Sequence, residues 1–153
     1  MAFKINISEK TGRTFHLDAE SEELMGKKLH EKILGKDISP DLDGYEFEIT
    51  GASDKAGFTA MKNVEGFGLK RVLLGYGKGM KKRSRKEGKK KRGNLKPEGL
   101  RLRKTVRGNT ISEDIIQVNL KVLKEGSKKL IEVFPEQNQK KEAAKAMEAK
   151  AQT

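Results

Sequence analysis

The chain has no cysteine and no tryptophan, three prolines, two histidines and only 5% aromatic residues in 153 positions. Without cysteine there can be neither disulfides nor thiolate zinc sites, which suits a reducing cytoplasm. His16 and His30 stand apart, with no carboxylate cluster at metal-ligand spacing and no nucleophile motif. The expectation is therefore no enzymatic activity, no metal, no cofactor and no small-molecule substrate. Long apolar runs are lacking too: the longest aliphatic stretch is Val72-Leu73-Leu74, against the ~20 residues of a membrane helix. Nothing in Met1 to Ser8 resembles a signal sequence, so a soluble, non-exported protein is expected and the sequon Asn6-Ile7-Ser8 is an empty match. Scarce aromatics also exclude the paired exposed rings on which an RNA-recognition-motif sheet stacks bases.

What the chain has in excess is positive charge, unevenly spread. Lys and Arg number 34 against 22 Asp and Glu, a net +12. Between Phe67 and Gly108 there are seventeen basic residues and two acidic ones, a local net of +15. Met1 to Gly66 holds nine against thirteen, and Asn109 to Thr153 eight against seven. A compact domain gains nothing from such self-repulsion, so the block calls for a polyanion, and nucleic acid is the usual one. Ten lysines to seven arginines in the block favour phosphate neutralisation over the bidentate base reading that arginine serves. The run from Lys81 to Gly93, KKRSRKEGKKKRG, has nothing to bury; it should be disordered alone and ordered when phosphates neutralise it.

With 34% hydrophobic and 37% charged residues, there is material for one modest core in about a hundred foldable positions. Period-two alternation dominates them. Phe3, Ile5 and Ile7 alternate with Lys4, Asn6 and Ser8, and a turn at Lys10-Thr11-Gly12 leads to Phe15 and Leu17, the pattern of a hairpin with one buried face. Asp18 to Lys36 is the one helix-compatible stretch in this half: Ser21 offers an N-cap, and Leu24, Met25, Leu29, Ile33 and Leu34 recur near helical spacing, although Gly26 interrupts them. Residues 38–44 carry turn chemistry, and Tyr45, Phe47 and Ile49 resume a strand. Leu69 to Leu74 is a short apolar strand. Leu100 to Arg107 puts Leu100, Leu102 and Val106 on one face and Arg101, Arg103 and Arg107 on the other. Ile116, Val118, Leu120 and Val122 line one face of the clearest strand, and Gly126 turns the chain toward Leu130 to Phe134. After Pro135, residues Glu136 to Ala151 are strong helix formers with a mostly alanine apolar face. The expected architecture is mainly β: a small antiparallel, barrel-like domain over 1–134, a basic inter-strand insertion at 78–99 and a C-terminal helical or disordered extension over 135–153.

Two glycine-bearing segments fail as phosphate cradles. Gly51-Ala52-Ser53-Asp54-Lys55-Ala56-Gly57-Phe58 lacks the Gly-Lys-Ser/Thr ending of a P-loop, and Gly66-Phe67-Gly68-Leu69-Lys70-Arg71 lacks the third glycine of a dinucleotide fingerprint; both read as tight loops between strands. The first, preceded by Ile49-Thr50, together with Arg103-Lys104-Thr105-Val106-Arg107-Gly108-Asn109-Thr110-Ile111-Ser112, resembles the eukaryotic/archaeal-type small-subunit ribosomal protein six. Gly51, Asp54 and Gly57 match that family's signature loop, Gly-Gly-x-Asp-x-x-Gly-x-Pro-Met, with Ala52 at the second glycine and Thr59-Ala60 at Pro-Met. The second segment matches its Lys-x-Val-Arg-Gly motif. The resemblance runs from about Phe3 to Gly126 and does not extend to the long basic, serine-containing tail of the eukaryotic members. It implies a β-barrel-like structural component of the cytoplasmic small ribosomal subunit, bound to rRNA and touching neighbouring ribosomal proteins. It also implies rRNA contacts at Lys70, Arg71, Lys104 and Arg107, beside the stripe of Arg101 and Arg103, and a penetrating loop carrying Lys78, Lys81, Lys82, Arg83, Arg85, Lys86, Lys89, Lys90, Lys91 and Arg92. From the residues alone, a free RNA-binding chaperone or translation factor is the alternative.

Overall fold

Phe3, Ile5 and Ile7 stand on one side of the first strand because successive strand residues point to opposite faces, and that side is where the core forms. The computed structural model describes residues 2–80, 99–135 and 137. Among them are seven strands: β1 (Ala2–Ser8), β2 (Thr14–Glu20), β3 (Lys32–Leu34), β4 (Glu46–Asp54), β5 (Leu69–Gly75), β6 (Arg101–Arg107) and β7 (Ile115–Lys124), followed by a one-turn helix α1 (Leu130–Val133). Five strands form a curled sheet in the order β2-β1-β7-β4-β3, and β5 and β6 form a separate two-stranded ribbon. Pairing is antiparallel throughout except between β1 and β7, which run parallel, Ile5 beside Val118 and Ile7 beside Leu120. The architecture is thus mainly β as expected, a half-barrel, and its one short helix at Leu130–Val133 precedes the stretch over which a helix was expected.

The inner face of the sheet is lined by Phe3, Ile5, Ile7, Phe15, Phe47, Ile49, Val118, Leu120 and Val122, all buried and all in one cluster. Burying each such side chain contributes about 1.5–3 kcal/mol. Of three irregularities in the β4–β7 ladder, one lies at its end, between Glu46 and Phe47, and the other two shift the phase of this pattern. In β4 the ladder jumps between Ile49 and Gly51, leaving Thr50 as the extra residue, so that Ala52 and then Asp54 take the inward positions. In β7 a second irregularity lies between the partners of Ser53 and Asp54, and Ile115 is buried while Ile116 is only half-buried. The alternation that put Ile116 inside therefore fails at that one position.

The helix expected over Asp18 to Lys36 does not form. Its span holds the end of β2, a single 3-10 turn at Glu22–Leu24, β3 and the start of another 3-10 turn at Gly35–Asp37. Gly26 (φ +78°) and His30 (φ +72°) lie in the left-handed region, and the backbone bonds outward. Gly26 N–H donates to Ile111 O, Leu29 N–H to Asn109 O and His30 N–H to Ile49 O, while Ile111 N–H donates to Lys27 O. Long-range partners replace the i−4 carbonyls a helix would have used. Leu24, Leu29 and Ile33 of the expected apolar face still reach the core, joined by Ile38 and Leu42 from the following turns, whereas Met25 and Leu34 are exposed.

At the far end, Leu130 is buried and Phe134 packs on Phe15 with ring centroids 5.9 Å apart. The Gln137 side-chain amide closes on the outer edge of β2, accepting from His16 N–H and donating to His16 O at 2.7 Å each. It occupies backbone groups that an edge strand would leave open. The expected helix from Glu136 to Ala151 lies outside the described residues apart from Gln137.

Candidate nucleic-acid interface

The ribbon is the element that gathers positive charge. Directly paired residues share a face, and β5 pairs with β6 as Leu69 with Arg107, Arg71 with Thr105, Leu73 with Arg103 and Gly75 with Arg101. That face carries the exposed Arg71, Arg101 and Arg103 beside the exposed Leu69 and Leu73. The other face holds Lys70, Val72, Leu74, Leu102, Lys104 and Val106, of which Val106 is fully buried and Val72, Leu74, Leu102 and Lys104 are half-buried. The alternation expected for Leu100 to Arg107 is therefore present, with a weaker apolar side than expected. Arg71, Arg101 and Arg103 form no ion pair among the described residues. Lys70 reaches back to donate to Glu65 O at 2.9 Å.

Arg107 corrects the expectation of an outward phosphate contact. Its side chain is 12% exposed. Nε donates to Asp54 Oδ2 at 3.0 Å, and Nη1 donates to Asp114 Oδ2 at 2.8 Å and to Phe67 O at 3.2 Å. Burial pulls its pKa down, but the hydrogen bonds to Asp54 and Asp114 outweigh that and hold it above the ordinary guanidinium value. The fork geometry of arginine allows three partners at once, and a guanidinium so engaged serves the fold before any ligand.

The signature loop proves to be the other half of this junction. Asp54 is buried, accepts from Phe58 N–H at Oδ1 (2.8 Å) and closes a turn in which Gly57 N–H donates to Asp54 O. Gly57 has φ +84°, where a side chain would be strained. Arg107 N–H then donates to Thr59 O, and Met61 N–H to Arg107 O, so residues 54–61 lace the ribbon to the sheet. Gly51 lies on β4 beneath Lys78, whose ammonium donates to Thr50 O at 3.0 Å and so ties the segment following β5 down as well. Gly108 completes the set: a Cβ there would sit 1.7 Å from Gly66 O, so this position in the Val-Arg-Gly motif admits only glycine.

Between the edge of β6 and this loop lies a cleft of about 530 Å³ lined by Gly57, Phe58, Thr59, Arg71, Arg103 and Lys104, among others. Because Arg107 turns its N–H and C=O away from β5, the period of two turns the same groups of Arg103 and Thr105 toward this edge. Cations and backbone donors thus converge on one opening. Of the sequence-derived candidates, Arg71, Arg103 and Lys104 meet at the cleft, Arg101 continues the row, and Lys70 and Lys78 hold carbonyls nearby. Lys81, Lys82, Arg83, Arg85, Lys86, Lys89, Lys90, Lys91 and Arg92 lie outside the described residues, in the segment joining β5 to β6. The sequence reading overlooked Phe58 and Thr59 as lining and Asp54 as the partner of Arg107. The alternation of Phe47 and Ile49 places Asp54 outward, and only the bulge at Thr50 turns it in, so no sequence signal marked the pair. Among the described residues no group of three or more His, Asp or Glu side chains could hold a metal ion, and no helix is long and apolar enough to cross a membrane.

The protein is thus a half-barrel domain bearing a cationic β-ribbon. The chain belongs to the family Ribosomal protein S6e, whose model matches residues 3–97 and 93–135. It is 42% identical over 128 residues to the small ribosomal subunit protein eS6 of Methanococcus maripaludis strain C5, covering 83% of this chain and 91% of that protein. The protein of the same name from Methanocaldococcus jannaschii is 40% identical over 125 residues, 82% and 84% of the two chains. That from Archaeoglobus fulgidus is 36% identical over 145 residues, 91% of this chain and all of the other.

Proposed function

We propose that this protein is a structural constituent of the small ribosomal subunit and binds rRNA mainly through phosphate contacts from the β5–β6 ribbon and the Lys/Arg-rich segment between its strands. The observation that carries the reading is the row of Arg71, Arg101 and Arg103, exposed and without carboxylate partners among the described residues, in a chain whose relatives are named as small-subunit proteins. Cations with no carboxylate partner among the described residues, held on a two-stranded ribbon, suit phosphate neutralisation. The role needs no catalysis, and the partners are rRNA and the ribosomal proteins beside it, in the cytoplasm.

The test is sedimentation. A tagged copy should remain with small subunits through a high-salt wash and a sucrose gradient at one copy per particle. Release into the free pool under that wash would make it a cycling factor or chaperone and end this reading.

A further inference from the structure

Phe67 is 64% exposed, more than any other large apolar side chain among the described residues. A lone exposed ring on a loose loop needs no explanation, but this loop is held from beneath at every residue. Gly66 O accepts from Thr110 N–H, Phe67 O from the Arg107 guanidinium, and Gly68 O from Gly108 N–H, at 3.1–3.2 Å. Gly108 also packs against Gly66 with no room for a Cβ. The ring is thus presented on ordered backbone, so a ligand stacking on it has little loop entropy left to overcome.

What surrounds the ring selects the ligand. Phe67, Leu69, Arg71 and Leu73 follow at a spacing of two, with Leu69 47% and Leu73 53% exposed, and Leu73 is directly opposite Arg103. Apolar surface interleaved with guanidinium groups that have no ion-pair partner among the described residues, inside a segment of net +15, favours a partner that is apolar in its faces and anionic in its links. Single-stranded RNA has that combination.

We propose that Phe67 is a stacking site for one unpaired base of RNA, with Arg71 taking the adjoining phosphate. The inference rests on the RNA-binding reading above and extends it from backbone neutralisation to a base contact, without paired rings and without sequence selectivity, since every base has a π-face.

The chain contains no tryptophan, so Phe67→Trp places a single indole at the site. In the full-length protein, a single-stranded oligouridylate should quench that indole, whereas a blunt RNA duplex of equal charge should bind without quenching. Phe67→Ala should weaken oligouridylate binding about tenfold, within the range for loss of one stacked base, and leave duplex affinity and melting temperature unchanged. Phe67→Leu, apolar but without a π-face, should resemble the alanine variant. RNA binding with an unquenched indole, or full rescue by leucine, would overturn the stacking while leaving phosphate binding intact. Failure of the wild-type protein to bind either RNA would remove the functional reading and this inference with it.

Discussion

Asp54 holds Arg107 on one side and Phe58 N–H on the other, so a single carboxylate fixes both the signature loop and the root of the ribbon. Asp54→Ala should destabilise the domain by about 3 kcal/mol, because the half-buried guanidinium loses its more buried partner. Asp54→Asn, which keeps an acceptor for Phe58, should cost about half as much. Urea denaturation of the two variants measures the difference, and equal midpoints would show that the charge contributes nothing. A second residue-scale effect depends on pH. His30 Nδ1 lies 2.8 Å from Glu48, and this hydrogen bond is the main cause holding the Glu48 carboxyl below its ordinary value of 4.5. The unfolded chain therefore takes up that proton first, so the stabilisation is present above about pH 4.5 and is lost as pH falls through the folded pKa. His30→Ala should flatten the acid limb of a stability-against-pH curve; an unchanged limb would exclude the pair as its source. At this scale the sequence was half legible. Gly51, Asp54 and Gly57 stood out as a motif, yet Arg107 read as a surface cation, because spacing within a strand gives the face and not the partner across it.

The strands were the legible elements, since alternating Phe, Ile, Leu and Val at period two is a local signal with one dominant burial solution. The segment from Ser21 to Asp37 was not, because its backbone bonds go to Asn109, Ile111 and Ile49, partners that no window on the sequence contains. The ribbon shows both sides: its alternation was visible, but its separation from the main sheet, and hence the exposure of Leu69 and Leu73, was not. Its two faces should respond differently to charge. Arg101→Glu with Arg103→Glu should leave the melting temperature within a few degrees of wild type and abolish stable incorporation into small subunits. Val106→Asp, which places a charge at a fully buried position, should unfold the domain near physiological temperature. Calorimetry beside gradient sedimentation separates the two. Parallel losses in both assays would mean that the ribbon's outer face is part of the fold.

Across the whole molecule, charge divides along the chain: residues 1–66 hold thirteen acidic side chains against nine basic, while 67–108 hold seventeen basic against two acidic. The acidic part builds β1 to β4, most of the five-stranded sheet, and the basic part contains the ribbon. Such a molecule presents a polyanion with one attractive side, which orients the encounter as well as speeding it. Ten of the seventeen cations lie between Lys81 and Glu98, leaving seven on or beside the ribbon. If those other than Arg107 meet phosphates, RNA affinity should fall steeply with salt, each contact adding about 0.7 to the log-log slope on single strands and about 0.9 on duplexes. Replacing residues 81–98 with a neutral Gly/Ser linker of the same length should lower that slope by several units and leave a residual slope set by the ribbon. Adding Arg101→Glu and Arg103→Glu to the linker variant should lower the slope by about 1.4 to 1.8 more, the share of two phosphate contacts. A linker variant with the wild-type slope would place the phosphate contacts wholly on the described surface, and one with no slope at all would strip the ribbon of the role proposed for it.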